Sequence, residues 1–277
     1  MQEAIYSAVF GALSSEHRMN IISNNLANVS TTGYKTDSVT FKDVFVPFAH
    51  DYILDSKEHL RAKPLWPDAD VIAKPRLAEH KTDFAQGSLR KTGDPLDLAI
   101  QGDGFFKILT PDGVRYTRNG HFNAMPNGQI VDSNGNPLLG TDGPIFLSGS
   151  GVVEIDPAGN VSEGGAQVGT IALVRFDNPR GVIKDGQNLY KLSEDFEANE
   201  MAVSPGMPEI TTGSDGTPQT RISPVIQQGF LESSNVEIVT EMVRMIEVNR
   251  VFEAYQKIMR GSQDMDSSLI KSMGKSV

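Results

Sequence analysis

The sequence predicts an α+β protein: long N- and C-terminal helices paired as an axial, coiled-coil-like stalk, with an all-antiparallel β domain inserted between them. Three observations carry this. Residues 235–273 contain no proline and a single glycine, and their apolar residues recur at seven-residue spacing. Residues 3–28 repeat that spacing with smaller side chains. Between them, from Thr82 onward, the period falls to two and glycine- and asparagine-rich turn signals interrupt the chain at short intervals.

The first helix has Ile5, Ala12, Met19 and Leu26 in one column, with Ala8, Ser15 and Ile22 each three residues after its predecessor. Small residues in such a seam suit a closely packed helix. Its end is marked by Asn24, Asn25 and Asn28, which are poor helix formers, and by the turn string STTG at 30–33. Gly33 is suited to a positive φ, and Tyr34 is placed to anchor the turn. Residues 1–36 therefore form a helix and turn. Residues 37–81 hold a greasy cluster (Phe41, Val44, Phe45, Val46, Phe48) and then Pro64, Trp66, Pro67 and Pro75, which predicts an extended arm or loose hairpin.

Residues 82–225 make the β domain. PLDLAIQGDGFFKIL at 95–109 carries two strands about Gly102-Asp103-Gly104, and Asn119-Gly120, Asn127-Gly128 and Asn134-Gly135 read as hairpin tips. Further strands are expected at 151–155, 166–176 and 188–192, and a return loop at 204–224. A sandwich or open barrel follows. Residues 226–277 complete the chain as the second helix. One column there is Ile238, Met245, Phe252, Met259, Asp266 and Met273; three residues on come Glu241, Val248, Tyr255, Ser262 and Leu269, most of them apolar. Met242, Ile246, Val251, Ile258 and Met265 widen the stripe, while Glu237, Glu241, Arg244, Glu247, Arg250, Glu253 and Lys257 supply a wet face. At 1.5 Å per residue the helix runs about 58 Å, more than a compact domain of this size needs.

Composition narrows the function. The net charge is −10, most of it from the middle of the chain, and no basic stripe invites nucleic acid. There is no cysteine, which excludes disulfides and thiolate metal sites. No apolar run approaches the ~18 residues of a membrane span, and the N-terminus lacks the basic leader of a cleaved signal peptide. Gly102-Asp103-Gly104 lacks the third glycine and following helix of a phosphate loop, and 132–136 (DSNGN) lacks the distal acid of a calcium loop; both read as turns. The five histidines share no ligand spacing, and Asp94, Asp97 and Asp103 have ordinary turn and strand explanations. No catalytic site, cofactor or metal is expected.

Two terminal stripes of unequal width cannot cover one another. The surplus apolar surface must face other subunits, and head-to-tail contacts that do not close generate a helical tube. The expected assembly interface is Ile5, Ala12, Met19, Ile22 and Leu26 on the first helix, with Ile238, Met245, Val248, Phe252, Tyr255 and Met259 on the second.

The string IISNNLANVSTTGYK at 21–35 closely resembles the N-terminal signature of the bacterial flagellar rod and hook proteins. GDPLDLAIQGDGFF with RYTRNGHF, and QGFLESSNVEIVTEMVRMIEVNRVFEAYQK at 228–257, are similar to that family's β opening and C-terminal signature. IYSAVFGAL and TDFAQGSL are most like its proximal-rod members. The resemblance implies a structural rod subunit in a hollow, torque-bearing shaft through the periplasm. Its partners would be itself, other rod proteins and the flagellar export apparatus, with export needing no cleaved signal peptide. The alternatives weighed are a distal-rod or hook subunit, or a periplasmic or surface β-domain protein that binds or cleaves carbohydrate.

Overall fold

The computed structural model describes residues 2–46, 72–149, 151–193, 200–203, 205, 209–212, 218–221 and 223–273. Residues 47–71, with Phe48, Pro64, Trp66 and Pro67, lie outside the described residues. The chain divides into two compact units: Met1–Leu26, Asp37–Lys81 and Ile238–Val277 in one, Ala27–Thr36 and Thr82–Glu237 in the other.

The first unit holds both helices, α1 (Gln2–Ala27) and α2 (Ile238–Met273), and the two-stranded sheet of β1 (Asp37–Val46) and β2 (Ile72–Thr82). The arm is thus a strand pair, and Pro75 falls within β2. In α1 the buried residues Ala8, Ala12, Ser15, Ile22 and Asn25 follow helical spacing. The buried Ser15 hydroxyl is satisfied by the Gly11 carbonyl at 2.9 Å.

Helix α2 begins at Ile238, and the residues before it that belong to the β unit are strands Val225–Gln228 and Phe230–Glu232. These strands are held by antiparallel pairing, Val225–Gln228 with Leu98–Gln101 and Phe230–Glu232 with Leu89–Lys91, and they are separated by Gly229, whose φ is +76°. The next residues are engaged as well, since the Asn235 side chain is bonded to Thr36.

The second unit is antiparallel throughout its described pairings. After β3 (Leu89–Lys91) and β4 (Leu98–Gln101) come β5 (Phe105–Thr110) and β6 (Gly113–Thr117), joined by a tight turn. A six-stranded sheet runs in the order Val182–Gly186, Leu189–Leu192, β6, β5, Leu173–Phe176, Glu200–Val203. It is buried on both faces, which is why β5 opens on two consecutive aromatics. Phe106 and Ile108 join Leu98, Ile100, Phe122, Leu138 and Ile226 in one core cluster. Phe105 joins Tyr116, Val174, Phe176 and Tyr190 in the other. Strand alternation sorts them.

The expected strand at 166–176 is two strands in two sheets. Ala166–Thr170 pairs within a three-stranded sheet with Asn160–Glu163, while Leu173–Phe176 pairs with β5. The break falls at Ile171 and Ala172, whose N–H groups go to Gly159 and Leu139 instead of one continuous ladder. Within the expected return loop, Glu209–Thr212 pairs with Pro218–Arg221. Asn119-Gly120 is not a hairpin tip; Gly120 sits against the Leu98 carbonyl, where a side chain would not fit. Asp132 accepts from Asn134 N and Asn136 N at 2.8 Å each, so its carboxylate closes its own turn.

Candidate assembly surface and the buried knot at the chain ends

The two helices of the first unit divide their apolar residues sharply. On α1, Ala12 and Ile22 are buried and Ile5, Met19 and Leu26 half-buried. On α2, Met245, Val248, Phe252, Tyr255 and Met259 are half-buried, and Ile238 is exposed. The widening residues Met242, Ile246, Val251, Ile258 and Met265 are all exposed, as are Val239 and Val243 of the same helix and Tyr6 and Leu13 of α1. Surplus apolar surface therefore runs along much of α2. The wet-face assignment holds for six of its acids and bases but not for Glu241, which is 3% exposed and belongs to the seam.

One described contact between the helices has a sequence cause. Tyr255 lays its ring where any Cβ on Gly11 would have to be. Gly11→Val should therefore push the ring away and destabilise the helix pair by about 1–3 kcal/mol. Tyr255→Ala in the same chain should recover part of that loss. A double-mutant cycle on thermal unfolding checks this, and additive costs would show that the two residues do not interact.

The signature turn lies in the β unit, apart from Asn24 and Asn25. Asn24 is exposed. Asn25 is buried, and its amide accepts from Asp37 N at 3.0 Å and donates to Asp37 O at 2.9 Å. Asn28 accepts from Thr31 through both its backbone and side-chain oxygens, closing the turn. Gly33 has φ +68°, and its N–H donates to Glu232 O at 2.7 Å. Tyr34 is buried, with the Lys184 ammonium 3.9 Å from its ring centre. Lys184 also donates to Lys35 O at 2.6 Å, and Asn188 to Thr32 O at 2.6 Å.

Beneath this turn is a charged knot that the sequence reading passed over. Lys35 Nζ lies 2.6 Å from Glu232 Oε1 and 2.7 Å from Ala85 O. Arg118 Nη1 lies 3.3 Å from Glu232 Oε2, and its Nη2 donates to Gly102 O at 2.8 Å. The Gly87 N–H completes Glu232 Oε1 at 2.9 Å. The three side chains are 0–3% exposed. Burial pushes the Lys35 ammonium and the Arg118 guanidinium below their ordinary values, against the pull of the Glu232 carboxylate. Alongside, Asn235 accepts from Thr36 N and Oγ1 and donates to the Asp83 and Ala85 carbonyls. The segment leaving α1 and the segment leading to α2 are thus strapped to the same stretch of chain, residues 83–85.

One signal could have found the knot. Lys35, Arg118 and Glu232 each stand inside one of the three family-like strings, beside turn or apolar residues. Tertiary structure joins the three strings at one point.

The fold and its surfaces define a class: a structural subunit with a self-contained β unit and terminal helices that leave apolar rows uncovered. Family models match at three places: the flagella basal body rod protein at 5–35, the hook protein FlgE/F/G D1 domain at 99–168, and the basal body rod FlgEFG protein C-terminal region at 227–272. The chain is 32% identical to the flagellar basal-body rod protein FlgF of Caulobacter vibrioides, covering 99% of each. It is 33% identical to FlgG of Borreliella burgdorferi over 96% of each, and 31% identical to FlgF of Mesorhizobium japonicum over 99% of each. The chain belongs to the flagellar basal-body rod protein family and is a structural subunit of the rod. No helix among the described residues is long and apolar enough to cross a membrane.

Proposed function

We propose that this chain is a FlgF-type subunit of the proximal rod. It polymerises through α1 and α2 with itself and other rod proteins into a hollow, torque-bearing shaft in the periplasm. On this reading the helices pair as a coiled-coil-like seam, the chain leaves the cytoplasm through the flagellar export apparatus without a cleaved signal peptide, and it does no catalysis. The observation that carries the reading is the exposed apolar row on α2, from Val239 (75% exposed) to Met265 (55%). Burying such a row is worth about 25 cal/mol per Å², and neighbouring subunits are the surface available to do it. FlgF-type identity is supported by the FlgF relatives that align over essentially the whole chain and by the opening IYSAVFGAL.

The test uses residues whose loss the monomer tolerates. Ile246 and Ile258 are 55% and 51% exposed, so Ile246→Ser with Ile258→Ser should leave the monomer's thermal transition almost unmoved. Each interface in the polymer repeats the defect. A strain carrying only this variant is expected to assemble no rods and not to swim. Normal swimming would refute polymerisation through this row.

A further inference from the structure

Glu241 lies in the first turn of α2 and in the seam column with Val248, Tyr255 and Ser262. Its Oε1 accepts from Arg244 Nη1 at 2.6 Å. Its Oε2 is buried and has no hydrogen-bond partner among the described residues. An acid in the first turn complements the helix dipole, but that does not explain a buried oxygen with no donor. The carboxylate lines a cavity of about 340 Å³ within the helical unit, shared with Arg18 and Asn25 of α1, Asp37 of β1, and Glu247.

The charges around this cavity are Asp37, Glu241 and Glu247 against Arg18 and Arg244. Arg244 is already committed to Oε1, and the amide of Asn25 is spent on Asp37. The cavity therefore holds an excess of acid and one acceptor waiting for a donor. Met242, the next residue, is exposed, and so is Ile246 just over a turn along. Whatever helix covers those two brings its own polar side chains to within a turn of Glu241.

We propose that the cavity receives a basic side chain, guanidinium or ammonium, from a terminal helix of an adjoining rod subunit, with Glu241 Oε2 as its acceptor. This rests on the rod reading above. The exposed apolar row is non-directional, so a neighbour could slide along it by one turn at little cost. An ion pair in a defined cavity allows one register, as a single polar residue in a coiled-coil seam does.

The experiment places Glu241→Gln and Glu241→Lys, each as the only copy, in a motile strain, and follows thermal unfolding of the purified full-length proteins. Glu241→Gln is expected to melt with the parent, whereas Glu241→Lys, which sets a third cation beside Arg18 and Arg244, is expected to melt below it. Glu241→Gln should reduce assembled rods by roughly tenfold or more, and Glu241→Lys should abolish swimming. Swimming revertants of Glu241→Lys should carry a second substitution removing a basic residue on a terminal helix, in this chain or another rod subunit, outside the cavity lining. Normal swimming by both variants overturns the proposal. So do revertants confined to the cavity lining, and so does a Glu241→Gln protein that melts well below the parent, since Glu241 would then serve its own fold. If Glu241 variants swim while the Ile246→Ser, Ile258→Ser chain does not, only the ion pair falls. If all of them swim, polymerisation through the exposed row of α2 falls too.

Discussion

Glu232→Ala is expected to destabilise the β unit by about 3–5 kcal/mol, the usual cost of removing one partner from a buried charge cluster. Two cations would then share a dry site, with Lys35 fully buried and Arg118 3% exposed. The Gly87 N–H would lose its acceptor too. Glu232→Gln keeps an acceptor without the charge and should fall between the variant and the parent. At ~2–4 °C per kcal/mol for a unit of this size, the transition of Glu232→Ala should drop by roughly 6–20 °C. A matched control replaces Lys35, Arg118 and Glu232 together by apolar residues of similar volume, and should recover most of the loss, because the knot's net contribution is small once desolvation is counted. Thermal unfolding of the three proteins decides it. A Glu232→Ala transition within a degree or two of the parent would show that the cluster is not closed in solution.

Gly33→Val is the second large effect, and it acts on the β unit itself. Sequence alone suggests that a β-branched residue there damages assembly more than it damages the β domain. The structure revises this. At φ +68° a Val is strained by about 1–3 kcal/mol, and its Cβ would stand 2.5 Å from the carbonyl carbon of Arg118 and 2.6 Å from Asn119 N. Both are backbone atoms of the strand end that carries the knot, so they cannot swing aside. The combined cost should exceed ~3 kcal/mol and lower the β transition as well as stop assembly. Gly33→Asn separates the two causes, since Asn tolerates positive φ but still carries a Cβ. If close packing dominates, Asn should be nearly as damaging as Val. A Gly33→Asn protein that melts with the parent would leave backbone strain as the whole effect.

What was legible beforehand follows from period and punctuation. Seven-residue spacing is a property of one helix read along itself, so α1 and the periodic stretch of α2 were legible, as were the small seam residues Ala8, Ala12 and Ser15, whereas the start of the C-terminal element at 226 fell in the strands that precede α2. Alternation and turn residues located β4, β5 and β6 for the same reason. The misreadings arose where a residue's partner is remote in sequence. Glu241 looks like a wet-face acid because its neighbours at three and six positions along, Arg244 and Glu247, are charged; it is buried because α1 and β1 line the space it faces. Asn119-Gly120 has hairpin composition, yet Gly120 is required by the Leu98 carbonyl.

The sequence by itself determined the α+β class, the two amphipathic ends, the surplus of apolar surface on the second helix and, through three signature strings, membership of the rod family. Those are local patterns, and local spacing is enough to specify them. Only the tertiary structure decided that Lys35, Arg118 and Glu232 meet, because their separations of 114 and 197 residues in the chain carry no periodic signal. It alone decided that Glu241 turns inward with one oxygen unspent. A buried charge is set by what surrounds it in space, and that is settled when the strands and helices pack.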